Sequence, residues 1–143
     1  MLYTVCYISN AISLWENGQL QDFFESVVKR NNALDISGLL LYHEGTFVQV
    51  LEGDQITVDS LFSAVKSDTR HNQLTVMMER EIKHRIFKNY RTSSISSGND
   101  PELRKLKSRV QLPKVSKYAK SLWAILQPFY LIEQTTLYGY EIK

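Results

Sequence analysis

The 143-residue sequence predicts an α+β fold. Two stretches repeat apolar side chains at the helical period, and five runs rich in β-branched and aromatic residues read as strands. A glycine turn, His43-Glu44-Gly45, joins two of those runs as a hairpin.

The first strand covers residues 2–9. A polar loop leads to a helix from about Gly18 to Asn31, on which Leu20, Phe23, Phe24, Val27 and Val28 form one apolar stripe. Ile36 to Tyr42 is a continuous apolar run suited to a strand buried on both faces. Thr46 to Gly53 returns beside it, with Gly45 free to take positive φ in the turn. Val58, Leu61, Phe62 and Val65 mark a second helix, capped by Asp54 or Thr57, and Asp68-Thr69-Arg70-His71-Asn72 is a polar turn. Leu74 to Ile82 and Tyr90 to Ser96 complete a β-α-β-β-α-β-β order. That order is the ferredoxin-like split βαβ arrangement with an added strand.

Ser96-Ser97-Gly98-Asn99-Asp100-Pro101 marks a break, so the chain divides into a sheet domain over 1–96 and a helical extension over 97–143. Asp100 and Pro101 suit the start of a third helix, with Leu103, Leu106 and Val110 in a stripe. Pro113 precedes a fourth, on which Tyr118, Leu122, Ile125, Leu126 and Phe129 share a face. Two such short helices form no core of their own, so they are expected to pack on the sheet face that the first two helices leave open, or on a partner subunit.

Hydrophobic content of 43% and a net charge of +2 describe an ordinary globular protein, and disorder is excluded. No basic leader and no long apolar run is present, and the lone Cys6 excludes an internal disulfide, so a cytoplasmic location is expected. His43, His71 and His84 have no metal-ligand spacing. Ile8-Ser9-Asn10-Ala11-Ile12 lacks the glycine-rich, arginine-bearing loop of an anion-binding hydrolase on this fold. Gly45-Thr46-Phe47-Val48 is too slight a match for an RNA-binding sheet, so nucleic acid is not the expected partner. Seven basic residues between Glu102 and Lys120 against that one acid read as a solvated helical face or as a dock for an acidic partner or nucleic acid.

Gln49 and Tyr7 fall mid-strand on strands that this topology sets side by side. Gln49 shares a face with Phe47 and Leu51. An amide in an apolar strand needs partners for its donors and acceptor, and a neighbouring tyrosine or a planar, heteroatom-rich ligand would each supply them. Asn31 and Asn32 at the helix end read equally as a capping pair.

Over residues 2–96 the chain resembles the BLUF domains, which sense blue light with a flavin. The likeness rests on an ordered set of pieces: Tyr7-Ile8-Ser9, Asn31, Ile36-Ser37-Gly38-Leu39-Leu40-Leu41-Tyr42, Gly45-Thr46-Phe47-Val48-Gln49-Val50-Leu51-Glu52-Gly53, Asp68-Thr69-Arg70-His71 and Arg85-Ile86-Phe87. The resemblance implies a non-covalently bound FAD, with FMN also compatible, and no turnover of substrate. It implies that Tyr7 gives an electron and a proton to the excited flavin and that Gln49, between Tyr7 and the flavin, rearranges as the primary switch. It implies that Asn31, or Asn32 after a one-residue slip, holds the pyrimidine edge. Asp68, Arg70 and His71 would lie against the ring, and Ile36, Phe47 and Leu51 would wall it.

One departure stands out. Where the family carries tryptophan, one residue, then methionine as the output relay, this chain has Tyr90-Arg91-Thr92. That leaves open an alternative, an interaction module on this fold with altered photochemistry. With no effector domain in the sequence, the expected output is contact with an unidentified downstream protein or a change in self-association as a homo-oligomer.

Overall fold

A computed structural model describes residues 1–13, 15–94, 101–111 and 115–137. It divides the chain into two compact units, Met1–Thr92 and Ser93–Lys143. The elements are β1 (Leu2–Ala11), α1 (Asn17–Ala33), β2 (Ser37–His43), β3 (Thr46–Asp54), α2 (Gln55–Ser67), β4 (His71–Glu81), β5 (Tyr90–Ser94), α3 (Pro101–Val110) and α4 (Lys117–Leu137). The strands form one sheet in the order β4-β1-β3-β2-β5. Each βαβ unit is therefore split by a strand inserted between its two, which is the predicted ferredoxin-like topology with β5 added at one edge.

Local chemistry sets the boundaries. Asp54 caps α2, its carboxylate accepting from the Ile56 N–H at 3.2 Å, so of the two caps expected it is Asp54 that acts. At the end of α1 the Asn31 and Asn32 main-chain carbonyls accept from Ile36 and Asp35, and Asp35 takes φ 55° to turn the chain into β2. The two-residue turn between β2 and β3 has positive φ at both Glu44 and Gly45, which matches the twist of the hairpin strands. Gly38 has φ 145°, and a Cβ there would sit 1.9 Å from the Val50 carbonyl oxygen, so only glycine fits.

β4 begins at His71, three residues before its expected start, because the ladder with β1 runs on to the pair Ala11–His71. Its register with β1 shifts between Cys6 and Tyr7 and again between Ile8 and Asn10. Irregularities of this kind bend an edge strand and re-aim the side chains beside them.

One sheet face carries Val5, Tyr7, Leu40, Tyr42, Phe47 and Leu51 and packs with Leu20 and Val27 of α1 and Val58, Leu61 and Phe62 of α2 in one core. Ile36 and Tyr90 belong to the same cluster. The opposite face carries Cys6, Leu39, Leu41, Val48 and Val50 by strand alternation. Burial pushes the Cys6 thiol up to about 12, so it stays protonated and unreactive.

Glu52 is a fully buried carboxylate on β3. It accepts from the Ser37 hydroxyl at 2.9 Å, the Ile86 N–H at 2.8 Å and the Phe87 N–H at 3.0 Å. Arg85 donates to the Asp35 and Glu52 main-chain carbonyls and to Ser37, and pairs with Asp35. This cluster fixes the connection from β4 to β5 and accounts physically for Arg85-Ile86-Phe87 as a sequence signature.

In the second unit α3 packs on α4. Lys107 lies over the Tyr130 ring, 4.8 Å from its centroid, and donates to its hydroxyl at 3.2 Å. Pro101 is the first residue of α3 as expected, whereas the Asp100 cap and the Leu103 side chain lie outside the described residues. Leu106, Tyr118, Leu122 and Leu126 are buried, and Ile125 and Phe129 are half-buried.

Candidate functional site

A cleft of about 170 Å³ opens between α1, α2 and the sheet. Tyr7, Trp15, Phe23, Val27, Arg30, Leu40, Phe47, Gln49, Ala64, Val65, Asp68, Arg70 and His71 line it. Its walls are therefore aromatic and aliphatic, with an amide, a phenol, an imidazole, two guanidinium groups and one carboxylate among them. That composition suits a planar, heteroatom-rich ligand carrying negative charge.

At the cleft floor, Tyr7 on β1 is the direct cross-strand partner of Gln49 on β3, and Leu40 on β2 is its partner on the other side. The Gln49 Nε2 donates to the Tyr7 hydroxyl, and the Tyr90 hydroxyl donates to the Gln49 Oε1. All three side chains are buried. Burial pushes the Tyr7 phenol well above its ordinary range, against a smaller opposing pull from the Gln49 hydrogen bond. Burial, then the neighbouring Tyr7, raises Tyr90 in the same direction, so both phenols keep their protons at neutral pH.

Asn31 is fully buried, takes a hydrogen bond on Oδ1 from Arg30 at 3.1 Å, and leaves its Nδ2 without a partner among the described residues. An orphaned buried amide of this kind marks a place where a missing acceptor belongs. Its side chain also lies within hydrogen-bonding reach of the Tyr90 hydroxyl oxygen. Asn32 is engaged elsewhere: its Oδ1 accepts from the Tyr90 N–H at 2.9 Å and ties the end of α1 to β5. Neither asparagine side chain caps the helix.

His71 is held at both ring nitrogens. Its Nε2 donates to the Val65 carbonyl at 2.6 Å, so Nδ1 is the acceptor for the Ser9 hydroxyl at 2.7 Å in the neutral ring. Arg70 binds the Asp68 carboxylate through both Nε and a terminal nitrogen and lies 4.8 Å from the centroid of the Phe23 ring. This pairing holds Asp68 at about 2, well below its ordinary value.

Of the residues singled out in the sequence, Tyr7, Gln49, Phe47, Asp68, Arg70 and His71 meet at the cleft. Ile36 and Leu51 lie in the core cluster, and neither they nor the two asparagines are among the lining residues. Thr92 is half-buried on β5. Sequence reasoning missed Trp15 and Arg30, and it assigned Phe23 and Val27 to the core alone. Trp15 sits in the loop before α1, its main-chain N–H donating to the Tyr42 hydroxyl at 3.2 Å, with its ring 4.7 Å from Phe23 and 5.9 Å from Phe47 between centroids. An isolated tryptophan in a polar loop, and an arginine beside the candidate Asn31, were the available signals.

The family described as sensors of blue-light using FAD matches residues 2–93. The chain belongs to the BLUF family. The photoactivated adenylate cyclase subunit alpha of Euglena gracilis is 34% identical over 86 residues, which are 60% of this chain and 8% of that protein. The beta subunit of Euglena longa is 33% identical over 86 residues, covering 60% of this chain and 10% of that protein. This chain thus spans about a tenth of the length of the curated relatives it matches.

Among solved structures, the BLUF protein BlrB in its dark state is 27% identical with a TM-score of 0.61, covering 87% of this chain and 97% of that one. Klebsiella pneumoniae BlrP1 with FMN and cyclic diGMP is 26% identical with a TM-score of 0.73, covering 92% of this chain and 35% of that one. BLUF domains bind flavin, and the aromatic walls and the Tyr7–Gln49 pair of this cleft fit one. Among the described residues, no helix is long and apolar enough to cross a membrane.

Proposed function

We propose that this BLUF domain holds FAD in the cleft between α1 and α2 and signals through light-driven rewiring of the Tyr7–Gln49 hydrogen bond. The observation that carries the reading is that bond itself: a buried phenol and a buried amide joined across neighbouring strands at the cleft floor. When bound, the flavin supplies an electron acceptor that blue light excites. Everything else falls to the protein.

Tyr7 is the donor, since its burial keeps the phenolic proton in place until an electron leaves. Gln49 is the element that remembers the event, because an amide offers oxygen from one end and nitrogen from the other. Of the two asparagines, Asn31 would be the one to offer a donor to a bound flavin, on the strength of its unpaired Nδ2; the Asn32 Oδ1 is already committed to the Tyr90 N–H. Trp15, Phe23 and Phe47 would hold a flavin ring by apolar and aromatic contact and keep water from it, and Arg30 would supply positive charge toward an anionic group. Asp68 and His71 position Arg70 and the ring of Tyr7, respectively.

The domain passes its signal by contact, in the cytoplasm, to an effector or to a second copy of itself, and itself turns over no substrate. Flavin released from the purified protein by heat should run with FAD on chromatography. Release of FMN alone would correct the cofactor, and a colourless protein that takes up neither would reject the reading in favour of an interaction module.

A further inference from the structure

The Gln49 amide ends on a phenol at each side: Tyr7 on β1 and Tyr90 on β5. A phenol both donates and accepts, whereas an indole N–H only donates and a phenylalanine does neither. In the arrangement present, Nε2 donates to Tyr7 and Oε1 accepts from Tyr90. With the amide reversed, Tyr7 donates to Oε1, and Nε2 donates to the Tyr90 oxygen. In both orientations the Gln49 oxygen and one amide N–H have a phenol partner.

We infer that Tyr90 is a second station of the amide switch, a two-way partner that keeps Gln49 paired in whichever orientation light leaves it. This rests on the light-switch reading above. Tyr90 is a positioning residue here, since it acts through Gln49. Its consequence is kinetic. A reversed amide facing a donor-only neighbour buries an unpaired N–H, and that penalty drives it back in darkness. Facing Tyr90 it meets an acceptor, so the lit state of this chain is long-lived.

Two measurements test the inference. In the flavin-free protein, a double-mutant cycle on urea midpoints compares Tyr90→Phe in the parent with Tyr90→Phe in a Gln49→Leu background. The near-isosteric phenylalanine preserves packing, so the cycle reads the hydroxyl–amide bond alone. Tyr90→Phe should lower the midpoint in the parent and have little effect once the amide is gone; equal effects in both backgrounds would overturn the inference. In the flavin-loaded protein, Tyr90→Trp, which retains only a donor, should return to the dark spectrum about tenfold faster or more than the parent. An unchanged or slower return would overturn the two-way role even if the cycle shows coupling. A flavin-loaded parent with no reversible spectral shift would defeat the light-switch reading, and with it the claimed lifetime. The light-independent cycle tells that failure apart from absence of the Tyr90–Gln49 bond.

Discussion

Glu52→Gln is the sharpest test of what holds the site's frame. Donors converge on the Glu52 carboxylate, among them Ser37 and Phe87 on Oε1 and Ile86 on Oε2. The substitution preserves volume but leaves one acceptor oxygen, and it sets an NH₂ group against a main-chain N–H. Burying that unpaired donor costs about 1–3 kcal/mol, and loss of charge assistance in the two surviving bonds adds roughly 1 kcal/mol. Unfolding should therefore become about 2–4 kcal/mol easier, which lowers the melting temperature by roughly 10 °C or more. Urea denaturation followed by far-ultraviolet circular dichroism reads the change, with Ser37→Ala, which removes a single donor, as a comparison costing about 1 kcal/mol. A Glu52→Gln protein within about 0.5 kcal/mol of the parent would refute the idea that this carboxylate fastens the β4–β5 connection.

Two further outcomes follow from the structure. Asp68 titrates at about 2 in the folded protein against an ordinary 3.8, so its pairing with Arg70 contributes stability that is present above about 3.8 and lost as pH falls through about 2. Arg70→Ala should raise the Asp68 value toward 3.8 and remove that acid limb, read by carboxyl-carbon NMR titration; an unmoved Asp68 would contradict the assigned cause. Truncation after Gly98 tests the docking expected for the helical extension. Loss of α3 and α4 should leave the protein aggregating or less heat-resistant, because Cys6, Leu39, Leu41, Val48 and Val50 make an apolar sheet face, and a soluble, equally stable fragment would contradict it.

Much of this was legible in the sequence because the signals were periodic or local. The stripe from Leu20 to Val28 and the Gly45 turn each specify their element from a few neighbours, while the choice of Asp54 over Thr57 as the α2 cap came from the structure. Strand order set Tyr7 and Gln49 on neighbouring strands, and the resemblance to the BLUF domains implied that they pair. What escaped was set by contacts between distant parts of the chain. The early start of β4 depends on its pairing with the end of β1, which no local pattern announces. Buried Glu52 reads in sequence as an ordinary exposed carboxylate until Ser37, Ile86 and Phe87 are seen around it. Tyr90 is the subtlest case. Its position was recognised as the place of a relay residue, but the hydroxyl reaching Gln49 across β2 appears only in three dimensions.

The measurement closest to the central claim is a blue-light difference spectrum of the flavin-loaded parent and its Tyr7→Phe variant. Phenylalanine keeps the ring that stacks 5.6 Å from Phe62 between centroids, so packing and flavin binding should persist. It removes the hydroxyl that Gln49 binds and the proton that leaves with the electron. The parent should show a small shift of flavin absorption to longer wavelength that reverses in darkness, and Tyr7→Phe should bind flavin yet show no such reversible shift. A full, reversible shift surviving in Tyr7→Phe would contradict the account.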